Sequence, residues 1–112
     1  MAEAVKHDTG KLRYDLLPFA AVDRIVRVLN FGAGKYAPNN WQRLPDFEER
    51  YIAAMFRHLS AHQQGELTDA ESGLSHLSHA ACCMMFLLWK ENEDERMARA
   101  IEQGSAGRRA KG

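Results

Sequence analysis

The residues best equipped for chemistry lie between Arg57 and Leu88, in RHLSAHQQGELTDAESGLSHLSHAACCMMFLL. This stretch holds four of the five histidines and three carboxylates, Glu66, Asp69 and Glu71. Imidazole and carboxylate together form a donor set for a divalent cation. Oxygen donors suit Mg²⁺ or Mn²⁺, and imidazole suits Zn²⁺, Mn²⁺ or Fe²⁺. The spacing predicts two helices joined by a short acidic turn. His58 and His62 fall near the end of the first helix, and His76 and His79 in the opening turns of the second. Residues three or four apart project from one side of a helix. A helical hairpin therefore gathers rings and acids at one end. Two outcomes stay open at this level: a metal centre, or a His–Glu hydrogen-bond network that fixes the packing, because buried histidines need partners in either case. Thr68 and Glu71 also have the spacing of a capping box, and Asp69 would complement a helix dipole.

The flanking sequence must position these groups. Residues 1–17 lack a sustained period and read as an extended arm. Pro18 suits a first helical position, and Val22, Ile25, Val26 and Leu29 repeat at helical spacing, so a helix is expected over 18–31 with Gly32 as terminator. Residues 32–45, GAGKYAPNNWQRLP, form a Gly/Pro/Asn-rich loop. Within it Lys35, Tyr36, Asn40 and Trp41 have the chemistry to hold a phosphate and a base. The competing role for Tyr36 and Trp41 is to pin the loop to the core. Asp46 and Glu49 suggest a capped second helix over 46–63, with Ile52, Met55, Phe56 and Leu59 as its apolar face. Leu74–Trp89 is apolar almost all round and predicts a central buried helix. Its burial exceeds what two short helices cover, and a homo-oligomer, dimer or tetramer, covers the rest. From Gly104 the small basic residues predict a disordered tail.

Composition narrows the function classes. In 112 residues, fifteen basic and fifteen acidic side chains cancel, so there is no whole-protein field for nucleic acid or an anionic membrane. The length fits one domain, residues 1–103, with the tail at 104–112. The most apolar run is too short to span a bilayer. Cys82 and Cys83 are helix neighbours that do not readily pair and read as buried thiols of a reducing compartment. The expected location is cytoplasmic, the host cytoplasm if phage-encoded. No HExxH, Walker-type phosphate loop or GxSxG is present.

In order, KHDTGKLRYDLLP, FGAGKYAPNNW, RHLSAHQQGE and DAESGLSHLSHAACC resemble the phage and bacterial family described as dATP/dGTP diphosphohydrolase, N-terminal type. Its relatives include MazZ-like enzymes of phages that replace adenine with 2-aminoadenine. The family in turn resembles the all-α, MazG-like nucleotide pyrophosphohydrolases, which are oligomeric and need Mg²⁺ or Mn²⁺. The resemblance implies an all-α, MazG-like small helical bundle of about three to four helices with an extended N-terminal arm, completed by oligomerisation. It implies hydrolysis of purine deoxynucleoside triphosphates, dGTP and dATP, to monophosphate and pyrophosphate. MazG-like enzymes use ExxE and ExxD acids, whereas the position aligned with ExxD carries His76 and His79 here and no clean ExxE precedes it. The residues carried over are therefore this family's own. His58, Glu66, Asp69, Glu71, His76 and His79 are the metal candidates, with Glu66 and Glu71 as catalytic acids. Lys6, Asp8, Lys11, Lys35, Tyr36, Asn40, Trp41 and Arg57 are the substrate-binding candidates. Two rival readings are a His/Asp-type metal phosphohydrolase and a non-enzymatic helical interaction module.

Overall fold

The computed structural model describes residues 4, 5, 7 and 9–111, with side chains through residue 104. It is all-helical: a 3-10 turn at Tyr14–Leu16, α1 at Phe19–Lys35, a 3-10 turn at Asn40–Arg43, α2 at Phe47–Gln63 and α3 at His76–Lys111. Among the described residues there is no strand, and one isolated β-bridge joins Thr68 to Ser75. Among the described residues no helix is long and apolar enough to cross a membrane. The expected small helical bundle is what the chain forms. Its central pair is α2 against α3, with α1 packed on α3.

The ends of the elements have local causes. Pro18 sits just before α1, at its N-cap. The helix passes Gly32 and ends at Lys35, where the Tyr36 N–H reaches the Gly32 carbonyl at 2.9 Å. Gly32 does not terminate because its backbone stays helical; a mid-helix glycine costs only about 1 kcal/mol relative to alanine. α2 ends in a Schellman motif: Glu66 N–H donates to Ala61 O at 2.9 Å and Gly65 N–H to His62 O at 3.0 Å, with Gly65 at φ 94°.

Neither expected capping box forms. Asp46 takes the left-handed conformation at φ 53° without a side-chain cap bond. At α3 the cap is Ser75, whose hydroxyl accepts the Ser78 N–H at 3.1 Å. Thr68 is instead held in the β-bridge, and Glu71 points elsewhere. The α3 backbone is helical to Lys111, past Gly104 where composition predicts irregular chain. Alanine and arginine in SAGRRAK are good helix formers and offset the glycines.

The buried face of α2 differs from the expected one. Phe47 is buried, with Tyr51, Ala54, Met55 and His58 half-buried, while Ile52, Phe56 and Leu59 are exposed. The inner stripe is therefore rotated toward the aromatic and imidazole positions. On α3 the inner face is His76, Ala80, Cys83 and Phe86, with Cys82 beside it, whereas Leu77, Met84 and Leu88 are exposed. The core comprises Phe47, Cys82 and Phe86, with Ile25, Val28 and Leu29 of α1 packed onto it.

Candidate functional site

A tight loop, residues 64–75, carries the acids from α2 to α3. The His76 N–H donates to Leu67 O at 2.9 Å and the Asp69 N–H to Leu74 O at 2.8 Å, folding the loop back on itself. Gly73, at φ 72°, supplies the left-handed step and donates to Asp69 O at 2.8 Å. Asp69 Oδ2 accepts the Ser72 N–H at 2.9 Å and the Ser72 hydroxyl at 3.0 Å. This Asx-type arrangement turns the Asp69 carboxylate toward the start of α3.

Three histidines meet there. The Nδ1 atoms of His58 and His76 are 2.8 Å apart, a hydrogen bond in which one ring donates. His58 stacks on His79, with ring centroids 4.6 Å apart and planes 11° from parallel. His79 Nε2 lies 2.6 Å from the Ser72 hydroxyl and 3.8 Å from Asp69 Oδ2. The edge of Phe31 on α1 closes the third side of His79 at 6.5 Å. His76 is 6% exposed, and its Nε2 has no hydrogen-bond partner among the described residues. Glu66 Oε1 approaches that atom at 3.6 Å, too far for a good bond.

The electrostatics favour neutral rings beside an ionised acid. Burial lowers the His58 pKa, and the neighbouring His79 and His76 lower it further, against the pull of Asp69. Burial also lowers the His79 pKa, again opposed by Asp69. Burial alone would raise the Asp69 pKa, but the two Ser72 hydrogen bonds together with the neighbouring His79 and His58 rings outweigh it and the net shift is downward. Both shifts favour neutral His58 and His79 rings at neutral pH, next to a carboxylate.

This donor set fits a divalent cation. One ligand atom from each of His58, Asp69 and His76 lies within 4.8 Å of the others. The unpartnered Nε2 of buried His76 is a second, independent sign, because buried polar atoms normally find a partner. His79 borders this group with its nitrogen engaged by Ser72, and Glu66 stands behind His76. Glu71 is exposed and paired to Lys35. His62 lies outside the cluster.

A cleft of about 750 Å³ opens over the centre. Lys35, Tyr36, Asn40 and Trp41 from the loop line it together with His58, Asp69, Glu71 and His79. The structure thus unites the loop motif with the histidine–acid motif. Tyr36 is 66% exposed, with the Lys35 ammonium 5.1 Å from its ring centroid. Trp41 has a different position: one face stacks on Phe86 at 4.0 Å and its edge meets Trp89 at 4.9 Å, so it pins the loop to the core. Arg57 lies elsewhere. With Phe56, Ser60 and Glu66 it lines a separate groove of about 540 Å³. Lys11 is exposed on the arm, outside the cleft lining. Lys6 and Asp8 lie outside the described residues.

Sequence reading missed Arg50 and Tyr51, which line the cleft. Tyr51 precedes His58 by seven residues, a helical repeat that marks a shared face. Burial raises its pKa to about 12, and its hydroxyl donates to Trp41 O at 3.3 Å. Ser72 was also missed as a site residue; an Asp followed three positions later by Ser is the signal for the turn it makes.

A family model described as dATP/dGTP diphosphohydrolase, N-terminal, matches residues 1–100. A protein of Salmonella phage PMBT28 named dATP/dGTP diphosphohydrolase is 34% identical over 102 residues, covering 87% of this chain. The chain spans about a third of that relative's length, 34%. No solved structure matches.

Proposed function

The chain belongs to the dATP/dGTP diphosphohydrolase, N-terminal, family, and on that premise we propose that its cleft hydrolyses a purine deoxynucleoside triphosphate to the monophosphate and pyrophosphate. The observation that carries this reading is the shared cleft, which sets a loop of lysine, tyrosine and asparagine against neutral imidazoles and acids.

His58, Asp69 and His76 would hold the divalent ion, with Glu66 backing His76. Mg²⁺ or Mn²⁺ suits the acids and Mn²⁺ also suits the rings. Such an ion neutralises phosphoryl oxygens and acidifies a bound water. Ser72 fixes the His79 ring, and the stacked His58–His79 pair keeps the floor of the cleft rigid. Glu71 takes the proton from water as its oxygen attacks the α-phosphorus, and the α–β bridging oxygen leaves with pyrophosphate. Lys35 and Arg50 offset the phosphate charge. The exposed Tyr36 ring packs on the purine and the Asn40 amide meets its edge. Trp41 holds this loop in place and makes no stacking contact with the base.

The exposed apolar side chains of α2 (Ile52, Phe56, Leu59) and α3 (Leu77, Met84, Leu88) support self-association. Sedimentation would read the subunit number. A nucleotide substrate is consistent with the cytoplasmic location expected from the sequence.

The testing experiment is turnover of dGTP and dATP with Mg²⁺ or Mn²⁺ in ¹⁸O-water. The expected result is pyrophosphate release with the label in the monophosphate. Release of intact triphosphate would replace this reading with the His/Asp-type phosphohydrolase. No turnover of any nucleoside triphosphate would favour the interaction module.

A further inference from the structure

Glu71 and His58 line one cleft, yet Glu71 is not among the three side chains whose ligand atoms converge. Its carboxylate is engaged by the Lys35 ammonium, across 36 residues of sequence. Among the described residues this is the ion pair that ties the end of α1 to the loop preceding α3. Both partners remain accessible, with side chains 39% and 60% exposed for Lys35 and Glu71. Lys35 also sits 5.1 Å above the Tyr36 ring. Its pKa is raised, chiefly by the hydrogen bond to Glu71, so it is charged throughout the neutral range. Glu71 thus already carries a cation of its own.

A triphosphate entering the cleft offers the ammonium a more highly charged partner than one carboxylate. A divalent ion at the histidines offers the carboxylate a more highly charged partner than one ammonium. The same contact therefore opposes both ligands, and either one that breaks it favours the other. We infer that Lys35 is a positioning residue that holds Glu71 away from the metal centre until phosphate draws it off, so that nucleotide and ion bind cooperatively. The inference rests on the metal-centre reading above. It goes further by making Lys35 an inhibitor of ion binding when no nucleotide is present.

The test uses Mn²⁺ alone, titrated calorimetrically into the full chain without nucleotide. Wild type, Lys35→Met, Lys35→Arg, Glu71→Gln and the Lys35→Met/Glu71→Gln double variant are compared, with helicity checked by circular dichroism. Release of an exposed ion pair predicts that Lys35→Met binds Mn²⁺ about two- to five-fold more tightly than wild type. Lys35→Arg, which retains the pairing, should bind like wild type. In the Glu71→Gln background the Lys35→Met gain should vanish. If wild type binds Mn²⁺ and Lys35→Met binds no more tightly, the inference is overturned and the metal centre stands. A gain that persists without Glu71 also overturns it, because loss of positive charge anywhere in the cleft would then suffice. Binding by neither wild type nor Lys35→Met removes the metal centre and the inference together.

Discussion

The α2–α3 seam has two ends built on one geometry and filled with opposite chemistry. At one end Phe47 and Tyr51 of α2 meet Phe86 and Trp89 of α3, with Trp41 inserted between them. Seven residues along each helix, Tyr51 gives way to His58 and Phe86 to His79. There the rings still stack, but they carry nitrogens, and one of those nitrogens is buried without a partner. The aromatic end gains area and ring–ring contact. The imidazole end gives up that gain and keeps a polar group that packing alone does not satisfy. Stability resides at the first end; on the function proposed above, chemistry is the reason to tolerate the second.

Substitutions at the two ends should therefore separate activity from stability. The largest effect is expected for Glu71→Gln, which should lower kcat about 10²–10⁴-fold. Its melting temperature should be nearly unchanged, since Glu71 is exposed. Steady-state kinetics beside thermal melts reads both quantities, and a large loss of stability would erase the contrast. At the aromatic end, Phe86→Ala should cost about 3–5 kcal/mol by denaturant unfolding. A loss below about 1 kcal/mol there would show that Trp41 and Trp89 do not depend on the ring. His76→Phe sharpens the comparison by extending aromatic chemistry into the polar end. Removing the unpartnered nitrogen offsets the loss of the His58–His76 hydrogen bond, so stability should change by less than about 1–2 kcal/mol, while turnover falls. A larger loss would mean that the His58–His76 bond outweighs the cost of the unpartnered nitrogen.

The smallest effect is pH dependence at the imidazole end. His58 and His79 titrate below their ordinary 6.5 in the folded chain, so the unfolded chain binds more protons as pH falls below about 6.5. Stability is therefore greatest above that pH and declines on acidification. The lowered pKa of Asp69 acts in the same direction at more acidic pH, below its ordinary 3.8. Melting temperature should fall between about pH 7 and pH 5, and His58→Phe should flatten the slope. An unchanged slope would place the titration elsewhere.

Much of this contrast was legible in the chain, and its failures have causes. Period and punctuation located α2 to within one residue, because Phe47–Gln63 is bounded by clear turn residues. The convergence of His58, His76 and Asp69 followed from a short loop between helices with histidines at facing ends. The rotation of α2 was not legible. Ile52, Phe56 and Leu59 form a better apolar stripe than the Phe47–Tyr51–His58 face that is buried, and hydrophobic pattern does not distinguish a core face from a second, outward one. Trp41 was open between two roles; the structure stacks its ring on Phe86 and also sets it in the lining of the cleft. Arg57 and His58 are neighbours in one motif, but about 100° of helical rotation sends them to different grooves. Asp46 and Thr68 had capping spacing, yet backbone conformation and the β-bridge took them out of capping roles.

The divalent-metal centre proposed above lies at the imidazole end of the seam. Paramagnetic broadening tests it at the level of single rings. With ¹⁵N-labelled histidine and substoichiometric Mn²⁺, the ring signals of His58, His76 and His79 should broaden first, while His7 and His62 persist. Uniform broadening of all five, or none before excess Mn²⁺, would contradict the account.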